Sequence, residues 1–469
     1  MNIAWYALWF IVAVSLLVTV HEFGHFWVAR RLGFKVLRFS VGFGKSIIER
    51  TGKDGTVYAL SMIPLGGYVK LLDEREGPVP TADLASSFTR KPPWQRILVL
   101  LAGPAFNFIF TILVLWGMLW SKGVLEEPRP VVGDVVQSSI AARSGLRTGD
   151  LILSMDTLSP RGEAVDGKAV VSRRDVVFGL MDAISGDGAA TFQVRGTDGA
   201  KRVVTLTVGD SEARRQLTGP AGPMSGLGFG FWEPPIPAIV GTLSPPDGPA
   251  AKAGLQKGDQ IININGKAIS DFRDLVAVTG SSRPGDHLTV RYLRAGAERS
   301  LEITAGSMKN GDGKPVSFIG VRPVPPKIPE SMIVRTEFTP FSALSAASVE
   351  AWDMTMLQGR LVWRMMMGQV SLKNLNGPLS IAEYAGEAAS DGVTPFLSFL
   401  VLISLSLGFL NLLPIPILDG GQVVFQLVEW LKGSPLSERA QAFSQQIGIA
   451  LLILLMGVAL FNDISLQIG

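Results

Sequence analysis

The sequence predicts a polytopic α-helical membrane protein with four transmembrane helices, a membrane-associated β-hairpin segment and two tandem α+β modules. Three observations carry this: four apolar stretches long enough to cross a hydrocarbon layer of about 30 Å, a residue pattern that recurs in step between the second and third of them, and the composition. At 469 residues and 47% hydrophobic, the chain is apolar enough for a few spans and too polar to lie wholly in a membrane. It has no cysteine, so any metal must be held by histidine and carboxylate. The formal charge of +3 is slight and the basic residues are dispersed, which excludes nucleic acid as a partner.

The first span runs from about Trp5 to Ala29, with Trp5, Tyr6 and Trp9 at the depth of an interfacial aromatic belt. It lacks a basic n-region and a small-residue cleavage site, so it reads as a retained span and not a signal peptide. The second, Ile97 to Trp120, is uncharged and contains Gly103, Pro104 and Asn107; the third runs from Thr394 to Leu418 and the fourth lies within Ala440 to Asn462. Arg30, Arg31, Lys35, Arg38 and Lys45 follow the first span, and Arg90, Lys91 and Arg96 precede the second. The positive-inside rule makes that loop cytoplasmic, puts the region between spans two and three outside, and leaves both termini outside. The chain divides into a first span (1–32), a β segment (33–95), a second span (96–121), two modules (122–231 and 232–326), membrane-surface helices (327–393), a third span (394–421), a cytoplasmic loop (422–439) and a fourth span with the C-terminus (440–469).

His21-Glu22-Phe23-Gly24-His25 spells H-E-x-x-H inside the first span. Residues four apart share a helix face, so the two imidazoles can converge on one metal ion, with Glu22 beside it as general base for a water whose pKa the metal has lowered. Two of the chain's three histidines are spent here, in hydrocarbon, where ionisable groups are costly and usually functional. At the corresponding end of the third span stands Asn411-Leu-Leu-Pro414-Ile-Pro416-Ile-Leu418-Asp419-Gly420-Gly421. Two prolines two residues apart cannot continue a regular helix, and the loosened backbone makes Asp419 the natural third ligand. Two histidines and a carboxylate leave a fourth position open, as catalytic zinc requires. The alternative is that Asp419 only caps the following helix.

The two motifs together resemble the site-2 protease family of intramembrane zinc metalloproteases. The resemblance implies one Zn2+ on His21, His25 and Asp419, Glu22 as general base, and Asn411 positioning substrate or the oxyanion. Phe39 to Lys45 (F-S-V-G-F-G-K) and the run ending I-P-L-G-G-Y-V-K at Lys70 alternate apolar and small residues with glycine turns, and predict two β-hairpins. In the family such a segment dips into the membrane and offers a strand edge to an unwound substrate, which nominates Gly42, Phe43 and Gly44 as substrate contacts.

The recurring pattern is A-A-x-x-G-L-x-x-G-D, at Ala141 to Asp150 and again at Ala250 to Asp259. It looks like the PDZ signature of bacterial proteases. Gly226-Leu227-Gly228-Phe229 and Phe318-Ile319-Gly320-Val321 then resemble carboxylate-binding loops displaced to the module ends by circular permutation, with Phe229 and Val321 at sites for peptide C-termini. A steric filter that binds no peptide is the alternative. A proline-rich connector, Pro323 to Pro329, leads to Pro340 to Val370, where Phe341, Leu344, Val349, Trp352, Met356 and Val362 suggest helices on the membrane surface or packed against the spans.

Four spans around two PDZ modules resemble the proteobacterial type of this family that acts on an anti-sigma-E factor. What that implies is a site-2 zinc metalloendopeptidase of the bacterial inner membrane, multi-pass, with periplasmic PDZ modules and an active site toward the cytoplasm. Its partners would be the lipid bilayer and single-span membrane proteins: the anti-sigma factor stump left by a first cut, and remnant signal peptides. A catalytically silent PDZ scaffold would explain the modules but not Glu22 between two membrane histidines. A zinc transporter would need a polar pathway, which the uncharged second and fourth spans do not supply.

Overall fold

The computed structural model describes residues 3–157, 168–170, 172–186, 188–217, 223–245, 247–309, 315–326, 328–368, 370, 375, 377–434 and 436–468. Residue 327 of the proline-rich connector and residue 469 lie outside them.

Helix α1 (Ile3–Arg31) buries Ala13, Leu17, His21 and Gly24, a stripe at steps of three and four that faces its neighbours, and near its end also Phe26 and Ala29. Strands β1 (Val36–Thr51) and β2 (Val57–Leu71) follow. Instead of two separate hairpins, both strands bend: residues 38–41 pair on one side with 57–60 and on the other with 67–70, while 46–51 pair with 57–61. The result is a four-legged sheet whose outer legs are 46–51 and 67–71. Gly42 (φ +89°) and Gly44 (φ +83°) make the bend in β1, in a left-handed region where a side chain would strain the backbone.

Helix α2 (Pro93–Lys122) begins with proline at its first turn, where no amide hydrogen is missed, and ends at Gly123. Strand β3 (Val124–Pro128) then leads into the first module: β4 (Val132–Val135), α3 (Ile140–Arg143), β5 (Leu151–Thr157), β6 (Lys168–Ala169), α4 (Arg173–Ser185), β7 (Ala189–Arg195), β8 (Lys201–Thr207), α5 (Ser211–Leu217), α6 (Pro223–Leu227) and β9 (Phe229–Phe231). The second comprises β10 (Val240–Leu243), α7 (Pro249–Lys252), β11 (Gln260–Ile264), β12 (Lys267–Ala268), α8 (Phe272–Gly280), β13 (His287–Arg294), β14 (Ala297–Thr304), β15 (Gly306–Lys309), β16 (Pro315–Phe318) and β17 (Val321–Pro323). Sheet orders β6-β5-β7-β8 and β12-β11-β13-β14 match, and in each module the last strand pairs antiparallel with the first, β4 with β9 and β10 with β17.

Strand β18 (Ile333–Glu337) pairs with β3, and α9 (Pro340–Met366) follows. The apolar residues that mark α9 in the sequence, among them Phe341, Val349 and Trp352, point outward. What it buries is an alanine stripe, Ala343, Ala347 and Ala351, which packs on Leu115 and Leu119 of α2. Its outer face carries the first module through Arg174–Glu350 (2.5 Å), Arg364–Asp182 (2.8 Å) and Arg360–Asp182 (3.0 Å).

Helix α10 (Pro378–Asp391) is followed by α11 (Val393–Asn411), α12 (Asp419–Lys432) and α13 (Glu438–Ile468). The third apolar stretch is therefore two helices: α11 stops at Asn411, and a turn containing Pro414 and Pro416 separates it from α12, of which Asp419 is the first residue. Among the described residues, four helices are long and apolar enough to cross a membrane: Ile3–Arg31, Pro93–Lys122, Val393–Asn411 and the Arg439–Ser465 part of α13. Buried Asp463 of α13 accepts the Gly377 and Leu379 amides, both at 2.9 Å, and so caps α10 from a different helix.

Candidate metal centre

Histidine spacing on α1 brings the two Nε2 atoms within 3.1 Å of each other. Asp419 Oδ2 arrives from α12 to lie 3.1 Å from His21 Nε2 and 3.5 Å from His25 Nε2. Metal–ligand bonds of about 2.0–2.1 Å in a tetrahedron put ligand atoms about 3.3 Å apart, so this triangle has the size that zinc requires. Oδ2 is also shut from solvent and accepts no well-directed hydrogen bond among the described residues, the condition of an atom that needs a cation. Among the described residues, His21, His25 and Asp419 form the group whose ligand atoms lie close enough together to hold a metal ion.

Each ligand is placed by a local feature of the chain. The turn from α11 to α12 folds back tightly: a Cβ on Gly420 would come 2.2 Å from Leu412 O, and one on Gly421 would come 2.1 Å from Ile415 O. Only glycine fits at either position, and these contacts set Asp419 at the start of α12. Gln422 Nε2 donates to Pro416 O (2.7 Å), closing the same turn. Farther along α12, Glu429 pairs with buried Arg96 of α2 at 2.7 and 3.1 Å, a forked contact that pins the helix.

Helix α2 forms the third wall, through residues at four-residue steps. Val99 O takes the His25 Nδ1 proton at 2.8 Å. A Cβ on Gly103 would lie 2.3 Å from His25 Nε2 and 2.7 Å from His21 Nε2, in the space the ion needs. Asn107, fully buried, lies against His21 Nδ1 at 3.1 Å. Sequence reasoning assigned no role to these three. The available signal was a buried-type amide in an uncharged span, four residues after a glycine.

Glu22 stands beside the group and outside it. Strand β2 runs along α1 here: Ser15 Oγ donates to Pro64 O (2.6 Å), and a Cβ on Gly67 would come 3.3 Å from Glu22 Cγ. The sheet edge nearest the general-base candidate is thus the 67–71 leg, which no further strand covers among the described residues. Gly42, Phe43 and Gly44 sit at the bend instead, where Phe43 stacks on Tyr68 at 6.2 Å and Gly42 packs against the Ser61 and Ile63 carbonyls. Asn411 ends α11, half-buried, and among the described residues no hydrogen bond joins its side chain to the three ligands. Phe229 is buried in the core of the first module and Val321 packs on that of the second. Any peptide contact at those sites would run through backbone, and the Gly228 amide is already given to Met224 O.

A model of the family described as "Peptidase family M50" matches residues 9–455. The chain belongs to peptidase family M50, the site-2 proteases. Similar members include "Regulator of sigma-E protease RseP" of Escherichia coli (strain K12), 41% identical with 97% of each chain covered, and "Protease RseP" of Yersinia pestis, 39% identical with 99% of each covered. Among solved structures, the PDZ domain of the SdrC-like protein from Listeria monocytogenes matches at 23% identity, covering 20% of this chain and 92% of that one, with a TM-score of 0.16. Both histidines of the triangle stand on α1, one of the four helices long and apolar enough to cross a membrane.

Proposed function

We propose that this M50 peptidase is an intramembrane zinc endopeptidase that hydrolyses a bond within the transmembrane segment of single-span membrane proteins. The observation that carries the reading is the 3.1–3.5 Å triangle of His21 Nε2, His25 Nε2 and Asp419 Oδ2, formed where apolar α1 meets the start of α12. Bound there, one Zn2+ would supply Lewis acidity toward the scissile carbonyl and toward an attacking water. Glu22 takes the proton from that water and hands it to the departing amide nitrogen. The uncovered 67–71 edge of β2 beside Glu22 pairs with the backbone of an unwound substrate and holds it extended; the Gly42–Gly44 bend shapes that sheet. Asn411 assists from the end of α11.

Basic residues flanking α1 and α2 orient the centre toward the cytoplasm, with the modules, read as circularly permuted PDZ domains, on the periplasmic face of a bacterial inner membrane. The relatives' names suggest an anti-sigma-E factor as substrate, after a first cut has removed its outer domain. The modules then act as a size filter that admits only trimmed substrates.

The deciding experiment compares wild type with Glu22→Gln on a tagged single-span substrate in detergent, with and without a zinc chelator. Cleavage should vanish with the substitution and with chelation, and cleavage that survives both removes this site as the active centre. Deletion of residues 131–326 should permit cutting of intact substrate, and unchanged dependence on the first cut removes the filter.

A further inference from the structure

Each imidazole of the centre has a second nitrogen turned toward α2. For His25 the partner is Val99 O, which can only accept, so Nδ1 carries the proton and Nε2 offers its lone pair to the centre. For His21 the partner is the amide nitrogen of Asn107, 3.1 Å from Nδ1, and an amide nitrogen can only donate. In that arrangement Nδ1 is bare, the ring proton sits on Nε2, 3.1 Å from both His25 Nε2 and Asp419 Oδ2, and Nε2 has no lone pair for a metal. At the other end of the same amide, Asn107 Oδ1 is shut from solvent and has no hydrogen-bond partner among the described residues. The backbone and Cβ of Asn107 are held in place. Ser404 Oγ bonds the Asn107 carbonyl at 3.0 Å, and Gly408 of α11 presses so close that its Cβ would lie 3.2 Å from Asn107 Cβ.

The two ends of an amide are alike in shape, and hydrogen-bond chemistry decides which is which. Turning the amide over puts Oδ1 opposite Nδ1 and the nitrogen into the buried space Oδ1 now fills. We propose that Asn107 is a positioning residue of the metal centre: its Oδ1 accepts the Nδ1–H of His21 and holds Nε2 as a bare lone pair aimed at the ion, as Val99 O does for His25. The proposal rests on the metalloprotease reading, since it needs an ion at His21, His25 and Asp419.

The test measures zinc affinity of the full-length protein in detergent, by competition with a chromophoric chelator, for wild type, Asn107→Asp and Asn107→Leu. Aspartate keeps an acceptor in the same place; leucine keeps the bulk and removes it. The leucine variant should bind zinc about 10- to 100-fold more weakly, the usual cost of losing the partner that orients a ligating histidine. The aspartate variant should stay near wild type, with metal-free melting unchanged in both. Equal affinity in wild type and the leucine variant overturns the proposal. An aspartate variant weakened as far as leucine overturns it too, and serves if leucine fails to fold. Wild type that binds no zinc overturns the underlying metalloprotease reading and this proposal with it.

Discussion

The metal centre and the second module both depend on glycine, for opposite reasons. In the module, Gly254 and Gly258 adopt φ of +91° and +94° with nothing within 4 Å of where a Cβ would stand, so what matters is backbone conformation. At the centre, Gly103, Gly420 and Gly421 are needed for the volume a Cβ would take, 2.1–2.7 Å from a ligand nitrogen or a backbone oxygen. A turn confined to one stretch of chain needs a conformation. A site where three distant helices meet needs room.

That contrast orders the expected effects. Gly103→Ala should be the largest: the added carbon falls within 2.3–2.7 Å of both Nε2 atoms, so bound zinc should drop below detection by elemental analysis while amide exchange in both modules stays at wild-type rates. Retained zinc would mean that α2 is not the third wall.

The second effect belongs to the module. Asp259 is buried, accepts the Gln256 amide at 2.7 Å and pairs with Arg294 at 2.7 and 2.8 Å. Asp259→Ala should cost about 3 kcal/mol, the lower end of the range for a broken buried pair because Arg294 is partly exposed, read as faster amide exchange in residues 238–323, with zinc affinity unchanged. Acid should do the same reversibly. Burial pushes the Asp259 carboxyl up, but Arg294 and the Gln256 amide outweigh it and hold the carboxyl below its ordinary value. A folded value below the unfolded one, about 3.9, means the contribution is complete above that pH and is lost as pH falls through the folded value. Exchange in this module that is flat from pH 5 to pH 2, after correction for the intrinsic rate, would contradict the pairing. Gly254→Ala is the smallest, about 1–2 kcal/mol for forcing an alanine into left-handed backbone, visible in the same exchange measurement and absent from zinc affinity.

The modules also diverge where the repeated sequence does not. Both buried aspartates, Asp150 and Asp259, cap the same turn and pair with an arginine that also reaches the carbonyl of the equivalent glycine, Gly145 or Gly254. Arg202 comes from β8 and Arg294 from β13, so the same contact is reached from different strands. The repeat revealed the turns; the partners lie outside the repeated run, where no register in the sequence marks them.

By itself the sequence determined the apolar spans, the repeated turns, and His21, Glu22, His25 and Asp419 as the candidate group, because helix periodicity, glycine spacing and the cost of charge in hydrocarbon are local properties of the chain. Only the tertiary structure decided which wall completes the centre, that β2 presents its 67–71 edge beside Glu22, and that α9 buries alanines while its tryptophans face out. Val99, Gly103 and Asn107 gain meaning from what α1 places against them. That depends on close approach between helices, a property of pairs of surfaces that no single segment of sequence encodes.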